Sequence, residues 1–140
     1  MYQTTGILHY GERSYLALHV DPEIGKLYRS FIPKKIDFNR PLHLLHVTVT
    51  RTGAETIVNR EHWKKYEGQE VLVYYSPHIM IGTSYIWLPV YSIRLEEIRL
   101  ELGLLRFFDR FKQFHVTIAN MKGTLSEGSC IDYGELSSGP

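Results

Sequence analysis

The chain has 140 residues, 44% of them hydrophobic and 22% charged, with a net charge of +1. That length fits one domain spanning 1–140, able to bury a core without staples. The near-zero charge excludes a global field for holding long nucleic acid. Cys130 is the only cysteine, which excludes an intramolecular disulfide and suits a reducing compartment.

Residues 1–13 are punctuated by Gly6 and Gly11 and read as a strand or loop lead-in. Met1 to Gly6 shows no basic stretch followed by an apolar one, so no signal peptide is expected. No apolar run reaches membrane-spanning length, and a cytoplasmic location is expected. Ser14 to Val20 predicts a strand, with Leu16, Leu18 and Val20 on one face and Tyr15, Ala17 and His19 on the other. Asp21-Pro22-Glu23 opens a helix with Asp at the cap and Pro at the first turn. Its expected apolar stripe is Ile24, Leu27, Tyr28 and Phe31, and Pro33 ends it. Gly25 inside it costs about 1 kcal/mol relative to Ala.

Lys34, Lys35 and Arg40 lead to Leu44-Leu45-His46-Val47-Thr48-Val49. Strand side chains alternate between faces, so His46 and Thr48 share one face while Leu45, Val47 and Val49 take the other. Lys34 and Lys35 lie where a phosphate would be met, although loop lysines are most often solvated charges. Arg51-Thr52-Gly53 ends the strand, and Arg51 is either a bidentate phosphate clamp or a surface cation. Glu61 to Glu70 reads as a helical turn and loop, and Val71 to Tyr75 as a strand. After Ser76-Pro77, strand character resumes at His78 to Ile81.

Tyr85 to Tyr91 predicts a strand with Ile86, Leu88 and Val90 toward the core and Tyr85, Trp87, Pro89 and Tyr91 opposite. Tyr85 and Trp87 form a candidate platform for a base, where stacking contributes about 1–3 kcal/mol. Ser92 caps a second helix with Glu96 and Glu97 in its first turn. Its expected stripe is Leu95, Ile98, Leu102 and Leu105, with Arg94, Glu97 and Glu101 solvated. Arg106, Arg110 and Lys112 lead into Phe114-His115-Val116-Thr117-Ile118, where the tripeptide of residues 46–48 recurs. The tail from Gly123 is expected to be partly flexible, with a short strand near Ile131 to Tyr133.

Of seven histidines, only His46 and His115 precede a Ser or Thr by two positions, each across a Val. Two such strands on one cleft supply two proton carriers and two hydroxyl donors. The order strand, helix, motif strand occurs twice, which suggests an α+β fold with mostly antiparallel sheets, two main helices and an internal pseudo-twofold. That symmetry would set the two motif strands side by side across a groove.

The paired His-x-Thr-apolar motifs make the chain resemble the two-histidine (2H) phosphoesterase superfamily. The likeness also rests on residues 28–34, His46 to Arg51, Tyr85 to Leu88 and Ile98 to Leu104. Within the superfamily the chain is similar to the Swiss-army-knife RNA-repair-like branch. The resemblance implies a bilobal fold with the site between lobes, metal independence with no cofactor, and a nucleotide phosphodiester as substrate. Relatives in that superfamily include RNA 2′,3′-cyclic phosphodiesterases and viral anti-CBASS nucleases that open cyclic oligonucleotide immune signals. It further implies His46 and His115 as general acid and base, with Thr48 and Thr117 gripping phosphoryl oxygens. Tyr15, Lys34, Arg51, Tyr85 and Trp87 are the candidate binding residues. The expected partner is a small nucleotide, cyclic or oligomeric, or else an RNA end, and no membrane.

Histidine suits both proton tasks because its ordinary pKa lies near working pH. Which of the two is the base stays open at the level of sequence. A metal hydrolase is disfavoured because two histidines are too few ligands and no third lies at ligand spacing. A non-catalytic nucleotide sponge is the other rival, set against the intactness of both His and both Thr.

Overall fold

The computed structural model describes residues 1–108 and 113–122. Arg110, Lys112, Cys130, the tail from Gly123 and the expected strand at Ile131 to Tyr133 lie outside the described residues.

The first ten residues form a long strand, β1 (Tyr2–Tyr10), in place of a loop lead-in. Gly6 does not break it, because a Cβ there would lie 2.6 Å from the His19 carbonyl oxygen. Glycine lets β1 press against β2 (Leu16–Val20). Helix α1 (Pro22–Arg29) follows, with the Asp21 carboxylate accepting from the Glu23 amide. Then come β3 (Phe38–Asn39), β4 (His46–Thr50), one 3-10 turn at Arg60–His62, β5 (Glu70–Tyr75) and β6 (Met80–Ile81). Strand β7 (Tyr85–Tyr91) leads to α2 (Ile93–Glu101), where the Ser92 hydroxyl accepts from the Leu95 amide, and then to β8 (Phe114–Met121).

The fold is α+β. The eight strands of the described residues join one antiparallel sheet in the order β3-β8-β4-β2-β1-β5-β7-β6, and a further β7–β8 pairing closes six of them into a barrel. Every one of those six strands sends a side chain inward. Thr4, Val20, Val47, Val73, Val90 and Val116 meet there with Ile24 of α1. Burying aliphatic side chains of this size stabilises the fold by about 1.5–3 kcal/mol each.

The helices depart from the expected stripes. In α1, Leu27 and Phe31 are exposed, while Tyr28 and Gly25 face the core. Gly25 is needed for close approach, since a Cβ would stand 3.2 Å from Leu45, just ahead of His46. Leu105, past the end of α2, is exposed, and within α2 Arg99 takes a buried place beside Leu95, Ile98 and the C-cap Leu102. On the solvated face of α2, Lys65 Nζ and Tyr66 Oη donate to the Glu101 carboxylate at 3.0 and 2.7 Å.

The internal symmetry is written in the strand register. In the first half Leu16 faces Thr50 and Ala17 faces Thr48, with the irregularity between them. In the second half Ile86 faces Ala119 and Trp87 faces Thr117, again with the irregularity between them. Leu18 faces Val47 as Leu88 faces Val116. Between the halves, β4 and β8 pair directly, with Val47 opposite Val116. The motif strands therefore lie side by side, joined at that pair.

Candidate active site

Val47 and Val116 are buried at 0% and 2% exposure and point into the barrel. Period-two alternation then turns His46, Thr48, His115 and Thr117 to the outer face. Strand β4 pairs antiparallel with β8 at Val47 and Val116, so the two His-Val-Thr copies flank that single pair. Each imidazole thus shares its strand face with the hydroxyl two residues on.

The two rings differ in their surroundings. His115 is 8% exposed. The Tyr85 ring lies nearly parallel to it at 6.1 Å, and Trp87 meets it edge-on at 6.4 Å. Burial, then the Arg51 charge, then His46 push its pKa down to about 3. His115 is therefore held neutral at any ordinary pH.

His46 is half-buried at the start of β4. Its Nδ1 stands 2.7 Å from the Leu44 carbonyl oxygen. A carbonyl only accepts, which assigns the proton to Nδ1 and leaves Nε2 for a ligand. Burial lowers its pKa; the Leu44 carbonyl opposes this, and His19 and His43 add to the lowering. The Tyr15 and His19 rings each stand 6.4 Å from it. His19 faces His46 across the β2–β4 ladder and stacks loosely on His9 at 5.2 Å.

Among the candidate binding residues, Tyr15, Arg51, Tyr85 and Trp87 come to the two histidines, and Lys34 does not. Lys34 is exposed in the segment between α1 and β3. Arg51 is 7% exposed, not a surface cation, and its guanidinium lies 4.3 Å over the Phe108 ring. Tyr85 and Trp87 are 3% and 5% exposed and pack with Met80. Both rings line the side of His115.

Three residues that the sequence reading passed over complete the site. His19 lies beside His46, and the outward alternation of Tyr15, Ala17 and His19 already pointed there. Arg99 is 1% exposed and donates to the Val49 carbonyl at 2.7 Å, to the Leu105 carbonyl at 2.9 Å and to both Glu55 oxygens. Glu55 Oε2 also accepts the Arg51 amide at 3.1 Å. The pair thereby pins the β4 segment that carries Thr48 and Arg51. Its twofold counterpart is Arg29, which donates to the Ile118 carbonyl at 2.9 Å. Each helix thus holds the motif strand of the opposite half by the carbonyl three residues past its histidine.

Among the described residues no group of three or more His, Cys, Asp or Glu is gathered as a metal site. No helix among them is long and apolar enough to cross a membrane. Comparison with family models, with curated proteins and with solved structures gives no match to this chain.

Proposed function

We propose that this chain is a 2H phosphodiesterase that cleaves a nucleotide substrate without a metal, most plainly a cyclic nucleotide or cyclic oligonucleotide signal. The observation that carries the reading is the Val47–Val116 register, which puts both His-Val-Thr copies on one face as twofold mates. The bilobal 2H architecture belongs to the same proposal, supported by the matched irregularities in β2–β4 and β7–β8.

In this reading His115, neutral and walled by aromatic rings, is the general base. It takes the proton of an attacking water or ribose 2′-hydroxyl as the new P–O bond forms. His46, nearer solvent with Nδ1–H fixed on Leu44, carries a proton on Nε2 and gives it to the leaving oxygen as the old P–O bond breaks. Solvent then returns the proton from His115 and recharges His46. Each transfer contributes about 10²–10⁴-fold. Thr48 and Thr117 donate hydroxyl hydrogens to the non-bridging oxygens, and the Arg51 charge favours the dianionic transition state.

The test is incubation with cyclic mono-, di- and trinucleotides and 2′,3′-cyclic-ended RNA, with products identified by mass. Cleavage of a phosphodiester, unchanged by EDTA, is expected. Cleavage of the RNA end alone moves the reading to RNA end repair. A ligand bound and returned intact would establish a sponge and overturn the catalytic reading.

A further inference from the structure

The two twofold-related arginines differ in what neutralises them. Arg99 is charge-paired with Glu55. Arg29 makes the equivalent bond to a strand carbonyl, yet among the described residues it has no carboxylate partner. Arg29 instead lines a cavity of about 590 Å³ with Arg40 and His43, and among the described residues no carboxylate lines it. Two guanidiniums facing one space repel each other, and Arg40 adds to the lowering of the Arg29 pKa that burial begins. An anion seated between them relieves that repulsion. Leu44, whose carbonyl fixes His46, is part of the cavity wall.

We propose that the cavity bounded by Arg29, Arg40 and His43 is an anion site that takes a second phosphate group of the substrate, beyond the one cleaved at His46 and His115. The substrate class this selects is a nucleotide with at least two phosphates in one molecule, a cyclic dinucleotide or larger, over a cyclic mononucleotide. The assignment of the second phosphate rests on the phosphodiesterase reading, whereas the anion site itself stands on the cavity. Planar guanidinium forks recognise phosphate oxygens bidentately, which a lysine pair in the same place would not do.

Amide chemical shifts of the full chain, titrated with inorganic phosphate, test the site without any catalysis. Saturable shifts at His43, Leu44 and Leu45 that vanish in Arg40→Glu are expected. Arg40 is exposed, so that variant folds where one at Arg29 would disturb β8. Shifts that do not saturate, or that persist in Arg40→Glu, overturn the proposal. Kinetics test the second part. The ratio of kcat/KM for a cyclic dinucleotide to that for a 2′,3′-cyclic mononucleotide should fall by about tenfold or more in Arg40→Glu. An unchanged ratio overturns the substrate assignment. Saturable shifts in a protein that cleaves no member of the nucleotide and RNA panel would support the anion site and overturn the catalytic reading alone.

Discussion

His115 and His46 have the same neighbours in sequence and unlike environments, and the difference is measurable. A buried imidazole whose pKa falls from 6.5 to about 3 refuses a proton that the unfolded chain accepts. The folded state is then fully stable above 6.5 and loses stability as pH falls toward 3. His46 and His19 are lowered as well and act in the same direction. Thermal melts between about pH 7 and about pH 4 should show a falling Tm in the native protein and a shallower fall in His115→Gln. An equal slope in both would mean that His115 titrates normally. The threonines are read by isosteric replacement. Thr48→Val and Thr117→Val each should lower kcat by about 10²–10³-fold while the fold is retained by circular dichroism.

The decisive link between helix and motif strand is the buried ion pair of Arg99 and Glu55, 1% and 9% exposed at their side chains. Glu55→Gln leaves a buried guanidinium without its counter-charge and should cost about 3–5 kcal/mol in urea denaturation. The exposed pair of Lys65 with Glu101 offers the contrast, and Lys65→Ala should cost at most about 1 kcal/mol. Equal costs would deny Glu55 its role. Much at this scale was legible in the chain itself. Period-two alternation placed β2, β4, β7 and β8 and told which face of each held the His and Thr, because sheet burial acts directly on sequence. Asp21 and Ser92 marked both helix starts through their caps. Arg99 escaped because a cation at a stripe position reads as an edge residue until a distant carboxylate and two carbonyls are known to meet it. Leu105 failed for the converse reason, since α2 ends at Glu101 and the helical period no longer applies beyond it. Tyr85 and Trp87 were read on one face, but their burial with Met80 depends on a β6–β7 pairing that is far from evident in sequence.

At the largest scale the described residues form one barrel of two matched halves, and the symmetry is broken around the two histidines. His19 faces His46 where Pro89 faces His115, and Glu55 neutralises Arg99 while Arg29 faces Arg40. One half therefore keeps an imidazole buried and neutral, and the other holds one closer to water. With His115 as base and His46 as acid, kcat/KM should be bell-shaped in pH, since it reports the pKa values of the unliganded enzyme. Both pKa values lie below 6.5, so both limbs should fall on the acid side of that value. An alkaline limb above about pH 7 would contradict the environment described for His46.

The most direct trial of a shared two-histidine site is turnover by His46→Gln, His115→Gln and the double variant on the substrate that the nucleotide panel identifies. Each single variant should lose about 10²–10⁴-fold in kcat, and the double should be scarcely worse than the singles, because groups acting on one phosphorus atom act as a unit. Native turnover in either single variant would contradict it.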